Sequence, residues 1–184
     1  YLFILADMTV ELVPWFFICE CILLMAFEAF HSKEFEKSAS KIAYSLLIIF
    51  YCGLLITFLS RLTIWDNSRF VISFFLLCVF VCDSLAWFFG ILFGKSTRGV
   101  VAASPNKSLV GFIGGVCSSV LVSLLLKFLF KETVSTPYLN MGIIAFFTSL
   151  AAIVGDLIES VFKRSCGVKD SGNIIPGRGG VLDS

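Results

Sequence analysis

The chain has 184 residues, 58% of them hydrophobic and 15% charged, with a formal net charge of +1 and a mean hydropathy of +0.97. A soluble domain of this size cannot hide so much apolar surface, so the composition excludes a water-soluble globular protein and indicates an integral membrane protein. The net charge says nothing alone; the placement of the charges says more.

In chain order, an apolar stretch over residues 1–6 and a polar break at Asp7 precede a first complete span over residues 12–30. Glu11, Glu20 and Glu28 make this span acidic, and charges inside a span normally face protein or water, which makes them functional pointers. Glu28 reads as interfacial, and His31, the only histidine, marks a loop at the membrane interface. A polar loop over 31–41 leads to a span over 42–59, and a loop over 60–69 leads to a long aromatic-rich span over 70–94 with Asp83 near its middle. Residues 95–108 (KSTRGVVAASPNKS) form a loop, followed by spans over 109–130 and 138–158, the last running directly into a charged tail. Stretches of about 20 apolar residues are what a bilayer core requires. The expectation is an all-α polytopic bundle of five to six spans, forming one membrane domain over residues 1–184. Because the chain opens at Tyr1 inside an apolar run, it is also expected to be an internal or C-terminal piece of a longer protein.

Helices alternate direction, so loop 31–41, loop 95–108 and the tail share one face. That face holds Lys33, Lys37, Lys41, Lys95, Arg98, Lys107, Lys163, Arg164, Lys169 and Arg178, whereas the opposite loops offer Arg61, Arg69 and Lys131. The positive-inside rule makes the tail and loop 95–108 cytoplasmic. The seven cysteines (19, 21, 52, 78, 82, 117 and 166) form no CxxC pair and lie mostly in or beside spans. They read as reduced, buried, small hydrophobes, and without clustered His or Cys no zinc site is expected.

Three stretches carry chemistry. In the tail (residues 155–184), Asp156, Glu159, Asp170 and Asp183 meet Lys163, Arg164, Lys169 and Arg178 among six glycines. On a helix, Asp156, Glu159 or Ser160, and Lys163 share one face. Carboxylates suit Mg2+ and cations suit phosphate, so the mixture suggests a metal–phosphate site; the bland alternative is a solvated, self-paired tail. In SPNKSLVGFIGG, Ser104, Asn106, Lys107 and Ser108 precede a helix start, an arrangement suited to an anion, or simply an ordinary basic loop. Asp83 shares its span with Gly90 and Gly94, which equally fits plain helix packing.

Taken in order, these segments resemble the phosphatidate cytidylyltransferase (CDP-diacylglycerol synthase) family. The family signature joins S-x-x-K-R, K-D-x-G and P-G-H-G-G-x-x-D-R-x-D runs. The chain has Ser160–Val–Phe–Lys163–Arg164, then Lys169–Asp170–Ser171–Gly172, then Pro176–Gly177–Arg178–Gly179–Gly180–Val181–Leu182–Asp183, without a gap. The segments around Asp83 and residues 104–115 look like two upstream motifs, so the resemblance covers residues 83–184. Arg178 stands where the family usually has His, Ser184 where it has Arg, Trp87 for a frequent Tyr and Asn106 for a frequent basic residue; the signature's last Asp falls beyond the chain. Arg178 keeps a donor and adds a fixed charge, so it can bind phosphate but cannot transfer a proton.

The resemblance implies transfer of the cytidylyl group of CTP to phosphatidic acid, giving CDP-diacylglycerol and pyrophosphate. It implies Mg2+ held by Asp156 and Asp183, with Asp170 a further ligand or support and K+ a candidate second cation. Lys163, Arg164 and Lys169 would grip the triphosphate or lipid phosphate, and Arg178 the departing pyrophosphate. Asp83, Ser104, Lys107 and Ser160 would complete the substrate site. A bacterial-type inner membrane, an active site facing the cytoplasm and a homodimer are expected, and no nucleic-acid partner. The rivals are a related CTP-dependent transferase acting on another lipid, an ion-coupled transporter using Glu20 and Asp83, and an inactive scaffold.

Overall fold

The computed structural model describes residues 2–32, 35–65, 67–169 and 171–172. Every element among them is helical: α1 (Leu2–His31), α2 (Ser38–Ile48), α3 (Leu55–Arg61), α4 (Ser68–Phe93), α5 (Leu109–Leu129) and α6 (Tyr138–Ser165). Among the described residues five helical segments are long and apolar enough to cross a membrane: Glu11–His31, Ser38–Ile64, Ser68–Phe93, Leu109–Leu129 and Tyr138–Ser165. The chain is an integral membrane protein. It forms two compact units, residues 1–72 and 73–184, with the boundary inside α4.

In the first unit two boundaries differ from the sequence expectation. Asp7 does not interrupt the chain; α1 runs through it for 30 residues. An acidic side chain can project from a helix without breaking any backbone hydrogen bond, so polarity alone is a weak terminator. The second span is also longer than expected, because α2 passes through a wide π-helical turn (Ile49–Leu54) into α3 and a final 3-10 turn (Leu62–Ile64). The connection to α4 shrinks accordingly, and α4 starts where the Asn67 carbonyl accepts from the Phe70 and Val71 amides at 2.8 and 3.1 Å. Asn67 holds φ at +60°, a left-handed conformation that asparagine tolerates better than most residues. Glu28, expected at the interface, ties α1 to α2: its carboxylate accepts from Ser38 Oγ at 2.6 Å and pairs with Lys41 Nζ at 3.5 Å. All seven cysteines are free, and only Cys78 and Cys82 are buried.

The second unit is built inside out relative to a soluble protein. Its fully buried side chains are small: Cys78, Cys82, Ala145, Ser119, Ser123 and Ser149. Large apolar groups such as Trp87, Leu121, Phe128, Leu139 and Phe147 face outwards. Lipid tails are as apolar as leucine, so the helices gain nothing by hiding leucines; they gain by close packing and interhelical hydrogen bonds. Both are present. Ser119 Oγ donates to the Cys78 carbonyl at 3.1 Å, joining α5 to α4, and Ser123 Oγ donates to the Met141 carbonyl at 2.9 Å, joining α5 to α6. The α4–α5 seam is closest at Gly111 and Gly115. A Cβ at Gly111 would stand 2.5 Å from the Ala86 carbonyl oxygen, and one at Gly115 would stand 2.6 Å from that of Cys82.

The turn between α5 and α6 is fastened by Lys127, which folds back to donate to the Val134 carbonyl under the Tyr138 ring. Pro137 then caps α6. With α5 antiparallel to its neighbours, the C-terminal end of α4, the N-terminal end of α5 and the C-terminal half of α6 meet at one end of this unit. There α6, at 28 residues, outruns the bilayer. At 1.5 Å per residue it is about 42 Å long against a hydrocarbon core of about 30 Å, long enough for its charged last turns to reach past the core.

Candidate active site

At that end α4, α5, α6 and the loop over residues 94–108 enclose a cleft of about 560 Å3. One stripe of α4 forms a wall: Asp83, Ala86, Trp87, Gly90 and Ile91 fall at i, i+3, i+4, i+7 and i+8. Asp83 lies ten residues before the end of α4 at Phe93, a depth of about 15 Å along the helix, so the cleft descends into the level of the spans.

The loop supplies the opposite wall with Arg98, Ser104, Asn106, Lys107 and Ser108. Its fold is local and hydrogen-bonded. The Gly99 amide donates to the Pro105 carbonyl at 3.0 Å, Lys107 N donates to the Ser104 carbonyl at 3.1 Å, and Arg98 and Ser108 form an isolated antiparallel bridge. Ser108 ends the loop as the N-cap of α5, its Oγ accepting from the Gly111 amide at 3.1 Å. That cap and the glycine seam hold the loop against α4, because any side chain at Gly111 would displace both Ala86 and the cap.

α6 contributes Ile153 and Asp156. Asp156 forms an ion pair with Lys107, bridging α6 to the loop. The next turn of α6 carries the Glu159–Lys163 pair at 2.8 Å, and beyond it Arg164 Nε donates to the Ala103 carbonyl at 3.4 Å, a second tie to the same loop. Burial lowers the pKa of the Lys107 ammonium from its ordinary value; Asp83 and Glu159 oppose that shift, and Lys163 adds to it. The arrangement is therefore a half-desolvated cleft in which carboxylates and ammonium groups alternate.

Of the residues expected in the site, the structure brings Asp83, Ser104, Lys107 and Asp156 together in the cleft. Lys163 and Arg164 follow on the adjoining turns of α6, and Ser160 is half-buried on α6 without lining the cleft. Lys169 is exposed just past the helix. Asp170, Arg178 and Asp183 lie outside the described residues. Arg98 and Trp87 line the cleft without having been assigned a role from sequence; the signal for Arg98 was its place in the same short basic loop as Lys107.

The helix that delivers Asp156 ends in a Schellman motif. Val168 N donates to the Lys163 carbonyl at 3.0 Å and Gly167 N to the Arg164 carbonyl at 3.0 Å, with Gly167 at φ +71°. Gly167 thus turns the chain off the helix axis immediately before Lys169.

Among the described residues no group of three or more His, Cys, Asp or Glu gathers as a metal cage. That does not disfavour Mg2+, which typically takes one or two carboxylates and completes its shell with water and substrate phosphate. Asp156 offers hard oxygens that already hold a cation, the Lys107 ammonium, and Asp83 adds a second carboxylate to the same cleft. The donor set fits the ion.

Comparison with known proteins places the chain by its sequence. The sequence model of the cytidylyltransferase family matches residues 1–184. Similar curated proteins named phosphatidate cytidylyltransferase come from Staphylococcus epidermidis, Staphylococcus saprophyticus and Staphylococcus aureus, at 38%, 39% and 38% identity over 141 residues. Each alignment covers 77% of this chain and 52% of the relative. The chain spans about half the length of the curated relatives it matches.

Proposed function

The chain belongs to the cytidylyltransferase family, and on that premise we propose that it carries the site at which the whole protein transfers the cytidylyl group of CTP to phosphatidic acid. The observation that carries the proposal is the convergence of Asp83, Lys107 and Asp156, from three separate segments, on one cleft at the end of the spans.

The chemistry asks little of a base. A phosphatidate oxygen is already anionic at neutral pH; it attacks the α-phosphorus of CTP, a new P–O bond forms, and the bond to the β-phosphate breaks to release pyrophosphate. The barrier lies in bringing anions together and in line. Lys107 and Arg98 supply positive charge from the loop wall, Lys163 adds charge from the adjoining turns of α6, and the Ser108-capped start of α5 adds a positive helix end. Ser104 and Asn106 offer hydrogen bonds that orient without adding charge. Asp156, together with Asp170 and Asp183, would hold Mg2+, which when bound neutralises phosphate charge. Lys169 and Arg178 are assigned to the phosphates, Arg178 to the departing pyrophosphate, and Ser160 supports the same α6 face. A cleft that descends beside Trp87 and Ile91 lets a lipid phosphate reach the nucleotide while its acyl chains stay in the bilayer. The basic loop and tail face the cytoplasm in this proposal, where CTP and Mg2+ are available.

The test uses full-length protein in detergent micelles with phosphatidic acid and labelled CTP. CDP-diacylglycerol is expected with Mg2+ and is lost with chelator. Binding of CTP without product on phosphatidic acid, but with product on another lipid phosphate, would replace the acceptor; no CTP binding at all would overturn the proposal.

A further inference from the structure

We propose that Lys107 is an exchangeable counter-ion for Asp156: it pairs with the carboxylate, competes with divalent cations for it, and leaves it for the phosphates of an arriving substrate. This deepens the reading of the cleft as a metal–nucleotide site and rests on it.

The ion pair itself is the first observation. Lys107 Nζ sits on Asp156 Oδ2, and an ammonium on a carboxylate oxygen excludes a hard cation from it unless two positive charges are left in contact. Reach is the second. Lys107 belongs to the loop, where its amide donates to the Ser104 carbonyl, and its long side chain, only 24% exposed, extends to Asp156 on α6. The third is that the fold does not depend on this pair to join loop and helix, because Arg164 makes a separate tie to Ala103.

The fourth observation concerns where the ammonium can go. Asp83 lines the same cleft and acts electrostatically on Lys107, so a shift away from Asp156 leaves it compensated. The other ammonium of the cluster, Lys163, is engaged with Glu159 on its own helix at 2.8 Å. Lys107 is therefore the group positioned to move between carboxylate and phosphate. A phosphate oxygen accepts the same kind of charge-assisted bond as a carboxylate, so a substrate phosphate can take the ammonium. The consequence is coupling: divalent cation alone binds weakly, and nucleotide frees the carboxylate that the cation needs.

The test measures Mn2+ binding to full-length protein without nucleotide, following free Mn2+ by electron paramagnetic resonance. Lys107→Met and Lys107→Gln are two neutral variants, Lys107→Arg keeps the charge, and Asp156→Asn removes the carboxylate. Removing an ammonium in contact with a carboxylate is expected to tighten Mn2+ binding at least about tenfold in both neutral variants. Lys107→Arg should stay near wild type, and Asp156→Asn should lose the site. Unchanged or weaker binding in the neutral variants, with the site still lost in Asp156→Asn, overturns the exchange while leaving the metal reading in place. Wild-type binding in Asp156→Asn overturns both.

Discussion

Single residues carry two different kinds of necessity here. Gly111 and Gly115 are required for what they lack, since α4 and α5 touch at their backbones. Gly115→Ala would push a methyl to 2.6 Å from the Cys82 carbonyl oxygen and 2.9 Å from Ala86 Cβ, both on the facing helix. Overpacking of this kind costs about 1–3 kcal/mol, so the midpoint of thermal unfolding in detergent should fall, whereas Leu121→Ala on the exposed face should leave it nearly unchanged. Asp83, Lys107 and Asp156 are required for the charges they bring. Each was legible in sequence as a lone acid in a span, a lysine before a helix start and an acid entering a charged tail. Their pairing was not. Which cation meets Asp156 depends on the register of α6 against the loop, and local sequence offered Lys163 as readily as Lys107. Arg98 escaped for the same reason, since its position in the cleft comes from the Arg98–Ser108 bridge and not from any motif.

At the scale of elements, hydropathy located all five spans, because a stretch that must satisfy its backbone within lipid has little choice but to be a helix. The ends were less legible. Asp7 looked like a break but is absorbed into α1, and the loop expected over residues 60–69 is largely helical. The helix expected around residues 155–164 proved continuous with the last span, so Asp156 rides on a rigid rod anchored by the Ser123–Met141 bond. Gly167 decides where that rod stops. Alanine at φ +71° is strained by roughly 1–2 kcal/mol, which the chain can relieve by extending or fraying the helix and re-aiming Lys169. Gly167→Ala is expected to reduce turnover more than it reduces thermal stability, and Gly167→Asn, which tolerates the left-handed region, is expected to recover most of the loss. Equal turnover in wild type and Gly167→Ala would show that the turn does not position the tail.

Across the whole molecule, composition already dictated a membrane protein, and the second unit shows how such a protein coheres: small and hydroxyl-bearing residues inside, aromatic and aliphatic ones outside. Each interhelical serine bond contributes only about 0.6 kcal/mol in a bilayer, so stability is spread over many close contacts and the charged end is free to serve chemistry. The acids of the first unit have a different character. Glu20 lies exposed on α1, and the proposed chemistry gives it no part. The proposed function transfers the cytidylyl group in the Asp83–Lys107–Asp156 cleft. The most direct measurement compares turnover of CTP and phosphatidic acid by full-length wild type, Asp156→Asn and Glu20→Gln, each verified as folded by its unfolding midpoint. Asp156→Asn is expected to lose about a hundredfold or more in kcat, the scale of removing one electrostatic partner of a transition state, while Glu20→Gln keeps wild-type turnover. Wild-type turnover in Asp156→Asn, or its loss in Glu20→Gln alone, would contradict the assignment.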